Sequence, residues 1–249
     1  MKPVYVTSDV HLGAVPDATE RAFLRFLQHV GGAASRLIIP GDLFDFWFEY
    51  GDIVPGEHFR VLAGLADLVD AGVPVLVTGG NHDAWGGRFL EEHVGVSFHP
   101  GHVRTDIAGR DALLAHGDGL GKGDLKYRAL KTVLRSRAAV WGFRALHPEL
   151  GLRLARRVSS TELKADSDPG KQGRARFIED WALQRLAADP ELSYVICGHT
   201  HLPTVTEVET GRYYLNAGDW IGHWSYITID ATGRPELRRW EGQGAARER

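Results

Sequence analysis

Leu37-Ile38-Ile39-Pro40-Gly41-Asp42-Leu43-Phe44-Asp45 sets a short apolar run directly ahead of a glycine turn and two carboxylates. A run this short, bounded by turn residues, reads as a buried strand. The arrangement recurs four times. Val4-Tyr5-Val6 precedes Asp9-x-His11, and Val75-Leu76-Val77 precedes Gly80-Asn81-His82-Asp83. Leu113-Leu114-Ala115 precedes His116-Gly117-Asp118, and Tyr194-Val195-Ile196-Cys197 precedes Gly198-His199-Thr200-His201. Five strand ends therefore offer Asp, Asn and His side chains, the inventory of a metal centre.

Outward from these strands, the first half alternates. Helical patterns near Ala18–Val30 and His58–Asp70, and a shorter one near Gly86–His93, separate the strands. Such βαβ alternation predicts an α/β sheet with crossover helices. From Gly119 to about Pro190 apolar residues recur at helical spacing among many Lys and Arg, with a further helical run over Phe177–Ala187. This predicts a helical insertion over the sheet. The last quarter reads as two hairpins, Thr204–Glu209 with Tyr213–Asn216 and Trp224–Ile229 with Glu236–Trp240. Two sheets packed face to face, with helices outside, are expected, ending in a frayed polar tail from about Gly242.

The net charge of −3 supplies no basic field for nucleic acid, and no basic stripe with interleaved aromatics appears outside the insertion. The single cysteine, Cys197, excludes an internal disulfide framework and lies in an apolar run, where an inert buried thiol is expected. No charged segment followed by an apolar one opens the chain, and no stretch approaches the ~20 apolar residues of a spanning helix. The expected location is the cytoplasm, with peripheral membrane contact left open.

On a strand, residues i and i+2 share a face, so Asp9 with His11, and His199 with His201, are expected to reach one ion as pairs. Asp9, His11, Asp42, Asn81, His116, His199 and His201 are too many ligands for one tetrahedral zinc. They suit two ions sharing Asp42. Mixed oxygen and nitrogen ligands without thiolate fit Mn²⁺ or Fe²⁺ as well as Zn²⁺. Two divalent cations against two carboxylates leave a positive site that attracts phosphate. Two-metal centres, with ions about 3.5–4 Å apart, favour in-line attack on phosphorus. His82, beside Asn81, is then placed to protonate the leaving oxygen or to stabilise transition-state charge.

The five motifs in this order resemble the calcineurin-like metallophosphoesterase superfamily. The resemblance implies a four-layer α/β/β/α sandwich, here one domain over residues 1–249 with a helical lid insertion at approximately 120–190. It implies one ion held by Asp9, His11, Asp42 and His201, and a second by Asp42, Asn81, His116 and His199. It also implies a catalytic role for His82, oriented by Asp45.

A narrower resemblance rests on Gly41-Asp42-Leu43-Phe44-Asp45-Phe46-Trp47, His116-Gly117-Asp118, Tyr127 and Asn216-Ala217-Gly218-Asp219-Trp220-Ile221. These are similar to the UDP-2,3-diacylglucosamine hydrolases of lipid A synthesis. That family releases UMP and a diacylglucosamine 1-phosphate, uses manganese, and carries an acyl-binding lid where this chain has its insertion. The resemblance implies substrate contacts from Asn81, His82, Asp124, Tyr127 and His199, and work at the cytoplasmic face of the inner membrane.

This chain departs from the well-known proteobacterial members in carrying His82 where they have arginine. Ser159, Ser160, Lys164 and Lys171 also do not reproduce the spacing of their lid contacts. A phosphodiesterase or phosphatase for another nucleotide or phospholipid-like substrate is the alternative, and a non-catalytic metal-binding scaffold a remote one. Trp47, Phe48, Trp85, Trp141 and Phe143 either line an acyl groove or pack the insertion onto the sheet. Lys122, in a glycine-rich loop, either contacts phosphate or is solvated.

Overall fold

Val4, Tyr5 and Val6 form β1 (Val4–Val6), and the cores they enter alternate residue by residue. Val4 and Val6 face a second sheet, while Tyr5 faces helices. This strand periodicity generates the layering of the molecule. The chain is described by a computed structural model over residues 2–51, 53–120, 125–155 and 171–242. The expectations for Lys122, Asp124, Ser159, Ser160, Lys164 and the tail beyond Gly242 fall outside the described residues.

The elements that follow are α1 (Asp17–Ala33), β2 (Arg36–Pro40), α2 (Phe59–Asp70), β3 (Val75–Thr78), β4 (Ser97–His99), β5 (Val103–Ile107) and β6 (Arg110–Ala115). Then come α3 (Leu125–Leu134), α4 (Arg137–Arg144), a helical segment at 148–155, and α5 (Lys171–Ala188). The chain continues with β7 (Leu192–Cys197), β8 (Thr204–Glu209), β9 (Arg212–Asn216), β10 (Ser225–Ile229) and β11 (Pro235–Arg239).

One sheet has the order β11-β10-β1-β2-β3-β4 and the other β5-β6-β7-β9-β8. Ile38 and Leu76 join Val4 and Val6 against Leu114, Ile196 and Leu215 of the second sheet. Their neighbours Leu37, Ile39, Val75 and Val77 face the opposite way, onto Phe23, Phe26 and Leu27 of α1 and Leu62 and Leu65 of α2. In the second sheet Val195, Cys197 and Tyr214 turn outward onto Ile178, Ala182 and Leu186 of α5. The order helix, sheet, sheet, helix is the expected four-layer sandwich. Cys197 is buried and burial pushes its thiol pKa up, so it stays protonated and inert.

The helices are built for these faces. In α1 the buried residues Thr19, Ala22, Phe23, Phe26, Leu27 and Val30 fall at three- and four-residue spacing, and Asp17 and Glu20 sit in the first turn, where the helix dipole favours negative charge. The Ser136 side chain caps α4 by accepting from the Ala139 N–H at 3.2 Å. Among the described residues no helix is long and apolar enough to cross a membrane.

The shorter helical pattern near Gly86–His93 is realised over residues 88–94, with its last part, Leu90–Val94, wound as a π-type turn. The Glu49 carboxylate, from a distant loop, accepts the N–H groups of Gly87 and Phe89, at 2.8 and 3.1 Å, and so satisfies the start of this segment. The edge strands β4 and β5 were not foreseen. Val103-Arg104-Thr105-Asp106-Ile107 is mostly polar, as suits an edge, and carries little apolar signal.

Trp220 locks the last loop into the core. Fully buried, it donates from Nε1 to Thr7 Oγ1 at 2.7 Å and packs edge-on against Phe23 at 4.9 Å. Trp220→Ala is expected to lower stability by about 3–5 kcal/mol, read from urea denaturation. A loss below about 1 kcal/mol would show that the site collapses freely.

Candidate metal centre

β1, β2 and β3 run parallel, and so do β6 and β7, so their C-terminal ends collect along one side of the sandwich. The loops leaving those ends hold the candidate ligands. Asp9 lies beyond the last residue of β1, whereas His116 directly follows β6. The expected strand geometry for the Asp9/His11 and His199/His201 pairs is therefore replaced by another device. Asp9, His11, Asp42, His199 and His201 all adopt left-handed backbone, with φ of 52°, 52°, 52°, 68° and 57°. Each such residue costs about 1–2 kcal/mol, and Asp and His tolerate it better than most. Five ligand candidates in this region is backbone strain gathered at one site.

The turns are held to one another. The Val10 N–H donates to the Asp42 carbonyl at 2.8 Å, Asp45 N–H to Leu12 O at 2.9 Å, and Gly198 N–H to His116 O at 2.9 Å. Buried Asp83 binds the two central turns together, its carboxylate accepting from Gly80 N–H at 2.7 Å, Leu43 N–H at 2.8 Å and Asp42 N–H at 3.2 Å. The motif glycines are spatial necessities. A Cβ at Gly41 would collide with the His116 ring, one at Gly80 with the Asp42 carboxylate, and one at Gly198 would lie 2.6 Å from Asp9 Oδ2. Gly80→Ala is expected to displace Asp42, lowering both the melting temperature and metal affinity; equal metal affinity in variant and wild type would refute this.

The side chains converge in three overlapping groups: Asp9 with His11 and His201, His11 with Asp42 and His82, and Asp42 with His116 and His199. Asp42 belongs to two of them. The His116 Nδ1 lies 3.0 Å from the Pro40 carbonyl. A carbonyl only accepts, so this nitrogen carries a proton and Nε2 is directed inward. There it meets Asp42 Oδ2 and Asn81 Oδ1, each at 3.0 Å. His199 Nδ1 is also 3.0 Å from Asn81 Oδ1. His201 Nε2 stands 3.5 Å from Asp9 Oδ1.

Burial opposes charge on His116, but Asp42, Asp9 and Asp118 raise its pKa to about 10. Burial, reinforced by His116, pushes His199 down to about 3. Asp42 is held well below the usual carboxylate range: burial opposes this, and His116, His82 and His11 outweigh it. Asp83 is raised to about 6 by burial and by Asp42.

The donor set fits divalent cations. His11 is buried, and neither of its ring nitrogens has a hydrogen-bond partner; its nearest acidic oxygens are Asp45 Oδ1 at 3.7 Å and Asp42 Oδ2 at 3.9 Å. A buried polar group left so is expensive unless another partner is supplied. An ion held beside Asp42 would give His11 the partner that it lacks.

His82 Nδ1 lies 2.8 Å from the backbone carbonyl of Asp45, while the Asp45 carboxylate stands farther off, 3.7 Å from His82 and equally 3.7 Å from His11 Nδ1. Tyr127 donates from its hydroxyl to Asp118 at 3.2 Å. Three carboxylates quoted within the motifs had been given no role: Asp83, Asp118 and Asp219. Asp219 Oδ2 lies 3.3 Å from His201 Nδ1 while Oδ1 accepts from Gly222 N–H at 2.8 Å. Backing a candidate ligand in this way fixes its ring orientation. Their presence in the motifs was the signal; their partners are remote in sequence.

A two-sheet sandwich that gathers imidazoles and carboxylates at its strand ends is the framework of a metal-dependent phosphoester hydrolase. Residues 2–203 match the calcineurin-like phosphoesterase family, and the chain belongs to it. The family and the His/Asp clusters together suggest a dinuclear site. Among relatives, a UDP-2,3-diacylglucosamine hydrolase of Porphyromonas gingivalis is 29% identical, covering 92% of this chain and 94% of its own. One of Salmonella arizonae is 33% identical, covering 89% and 92% respectively. The crystal structure of a hypothetical protein from Pyrococcus horikoshii OT3, 11% identical, matches 97% of this chain and 88% of its own at a TM-score of 0.50, a likeness of fold alone.

Proposed function

We propose that the chain hydrolyses the diphosphate of UDP-2,3-diacylglucosamine, giving UMP and 2,3-diacylglucosamine 1-phosphate. Relatives named for that activity span nearly the whole chain. The observation that carries the reading is a cavity of about 310 Å³ that opens on Asn81 and His82 and runs between Phe46, Phe48, Phe143 and Leu154. Leu130, Leu134 and Leu154 line it while remaining about half exposed (53%, 45% and 53%). Acyl chains laid there would remove this surface from water, at about 0.8 kcal/mol per buried methylene.

In this reading Asp9, His11, Asp42 and His201 hold one ion, and Asp42, Asn81, His116 and His199 the other. Mn²⁺ suits the mixed oxygen and nitrogen set. Bound there, the ions lower the pKa of water and neutralise charge on phosphoryl oxygens. The Asp45 carbonyl holds the proton on His82 Nδ1, so a proton given to the leaving oxygen comes from Nε2 of the imidazolium form, which returns to the neutral ring as it donates. Asp219 orients His201, and Asp83 keeps the Asp42 and Asn81 turns in register. The segment holding α3, α4 and residues 148–155 forms the lid of a single domain. Exposed Val133, Trp141 and Leu150, with Arg137 and Arg144, support peripheral contact with the cytoplasmic face of an anionic membrane.

The decisive assay is UMP release from UDP-2,3-diacylglucosamine by the Mn²⁺-loaded protein. Hydrolysis of other phosphoesters without UMP release would overturn the proposed substrate. Leu130→Glu, which brings a charge onto the cavity wall, should raise KM for the diacyl substrate about tenfold or more. Turnover of a small chromogenic diester should not change. Equal effects on both substrates would remove the cavity from acyl binding.

A further inference from the structure

Helix α3 brings two cations to the mouth of the cavity. Lys131 and Arg135 are the only Lys or Arg among the described residues that line it. Lys131 lies in the last turn of α3 and Arg135 directly follows its end, its N–H still donating to the Lys131 carbonyl at 3.0 Å, so the two stand one turn apart. Both converge on Asp118 Oδ2, Lys131 Nζ at 2.6 Å and Arg135 at 3.6 Å. Lys131 also donates to the Asp118 carbonyl at 3.2 Å. Arg135 reaches across to the metal-bearing turn, donating to the Gly80 carbonyl at 2.7 Å, and anchors at the Pro100 carbonyl at 3.2 Å. Gly80 is followed directly by Asn81, so the guanidinium stands beside the candidate centre.

Charge and polarity define what fits there. Two cations against Asp118, the one carboxylate they meet, leave a positive charge at this end of the cavity, while Asp45, which also lines it, stands by His11 and His82. Each side chain keeps 24% of its surface exposed, so neither is sealed away. On one side are Asn81 and His82, and on the other the aromatic and aliphatic wall. A ligand spanning this boundary has an anionic group between the reacting phosphorus and its apolar part. A diphosphate diester has that order: scissile phosphorus, bridging oxygen, second phosphoryl group, then the lipid.

We propose that Lys131 and Arg135 bind the second phosphoryl group of the substrate, the one that departs with the lipid. This rests on the function proposed above. Water adds to the scissile phosphorus, the bond from that phosphorus to the bridging oxygen breaks, and the electron pair goes to the departing phosphate. Two protons leave the water overall; one ends on the products and one in solvent, according to pH. The negative charge of the departing group rises as the bond breaks. Two preorganised cations beside it are worth more in the transition state than in the ground state. His82 would act at the bridging oxygen, Lys131 and Arg135 at the outer oxygens. The pair also serves specificity, because a substrate with a single phosphorus leaves it unused.

The test compares one-phosphorus and two-phosphorus ligands on the Mn²⁺-loaded protein. Arg135→Gln and Lys131→Gln are expected to lower kcat/KM for the diphosphate diester by about 10²-fold, and that for bis(4-nitrophenyl) phosphate by less than about threefold. Arg135→Lys should recover part of the loss. Because Lys131→Gln removes a partner from buried Asp118, Lys131→Gln with Asp118→Asn is measured beside it and should show the same selectivity. Binding is read separately by calorimetry, using the methylenebisphosphonate analogue of the UDP-sugar and UMP. The variants should weaken the analogue at least about tenfold and leave UMP unchanged. Equal losses on both substrates, no loss on either, or equal weakening of both ligands would overturn the proposal. The binding arm needs no turnover. A wild-type protein that binds the analogue but releases no UMP overturns the proposed substrate, and the variants' affinities still judge Lys131 and Arg135.

Discussion

Asp42→Ala is expected to abolish hydrolysis, with kcat/KM down at least about 10³-fold, and to leave the protein unable to retain two ions through dialysis. Among the described residues, Asp42 is the one carboxylate common to two of the three ligand clusters. Its Oδ2 lies 3.0 Å from His116 and 3.9 Å from His11, and its Oδ1 accepts the His82 N–H at 3.0 Å. Removing it leaves three buried imidazoles around a hole, with Asp9 the one carboxylate left in the three clusters to offset two cations. Metal content measured by inductively coupled plasma mass spectrometry, together with a melting curve, separates loss of metal from loss of fold. Two tightly held ions in Asp42→Ala would show that the carboxylate is not shared.

His82→Ala is expected to lower kcat by about 10²- to 10⁴-fold while both ions stay bound. The geometry makes this a sharp test, because His82 stands in one cluster with His11 and Asp42 and so has the position of a ligand as well. Its ring meets His11 edge-on at 4.9 Å. Its Nδ1 is engaged by the Asp45 carbonyl, which leaves the orientation of Nε2 to decide between ligand and proton carrier. Loss of one ion in His82→Ala would make it a ligand. Unchanged metal content with unchanged kcat would leave it no catalytic part. Asp45→Asn should have the smaller effect, because the hydrogen bond to His82 comes from the main chain and the carboxylate stands 3.7 Å away.

How much of this could be read beforehand differs from element to element. The alternation of Val4-Tyr5-Val6, Leu37-Ile38-Ile39 and Val75-Leu76-Val77 between two cores was already in the order of their side chains, because strand periodicity is local. The candidate ligands were legible for the same reason: each follows its strand within a few residues. The i and i+2 argument for Asp9 and His11 named two residues that the structure does bring together, but by another geometry. Left-handed backbone at both positions, which no composition signal marks, turns the side chains inward. The helical segment near Gly86–His93 was legible, but its π winding at Leu90–Val94 and the short edge strands were not, because stabilising partners such as Glu49 come from other parts of the chain.

The sequence by itself determined the two-sheet α/β class, the seven candidate ligands and the character of the reaction, all properties of short stretches. Only the tertiary structure decided which carboxylate serves which turn. Asp83 carries the amides of a turn 40 residues away, Asp219 backs His201 across β8 and β9, and Arg135 reaches Gly80 from the turn after α3. Those partnerships follow from the strand orders β10-β1-β2-β3 and β6-β7-β9, which bring distant loops to one edge. Long-range pairing of this kind is set by the packing of whole faces, and a motif contains only its own half of each contact.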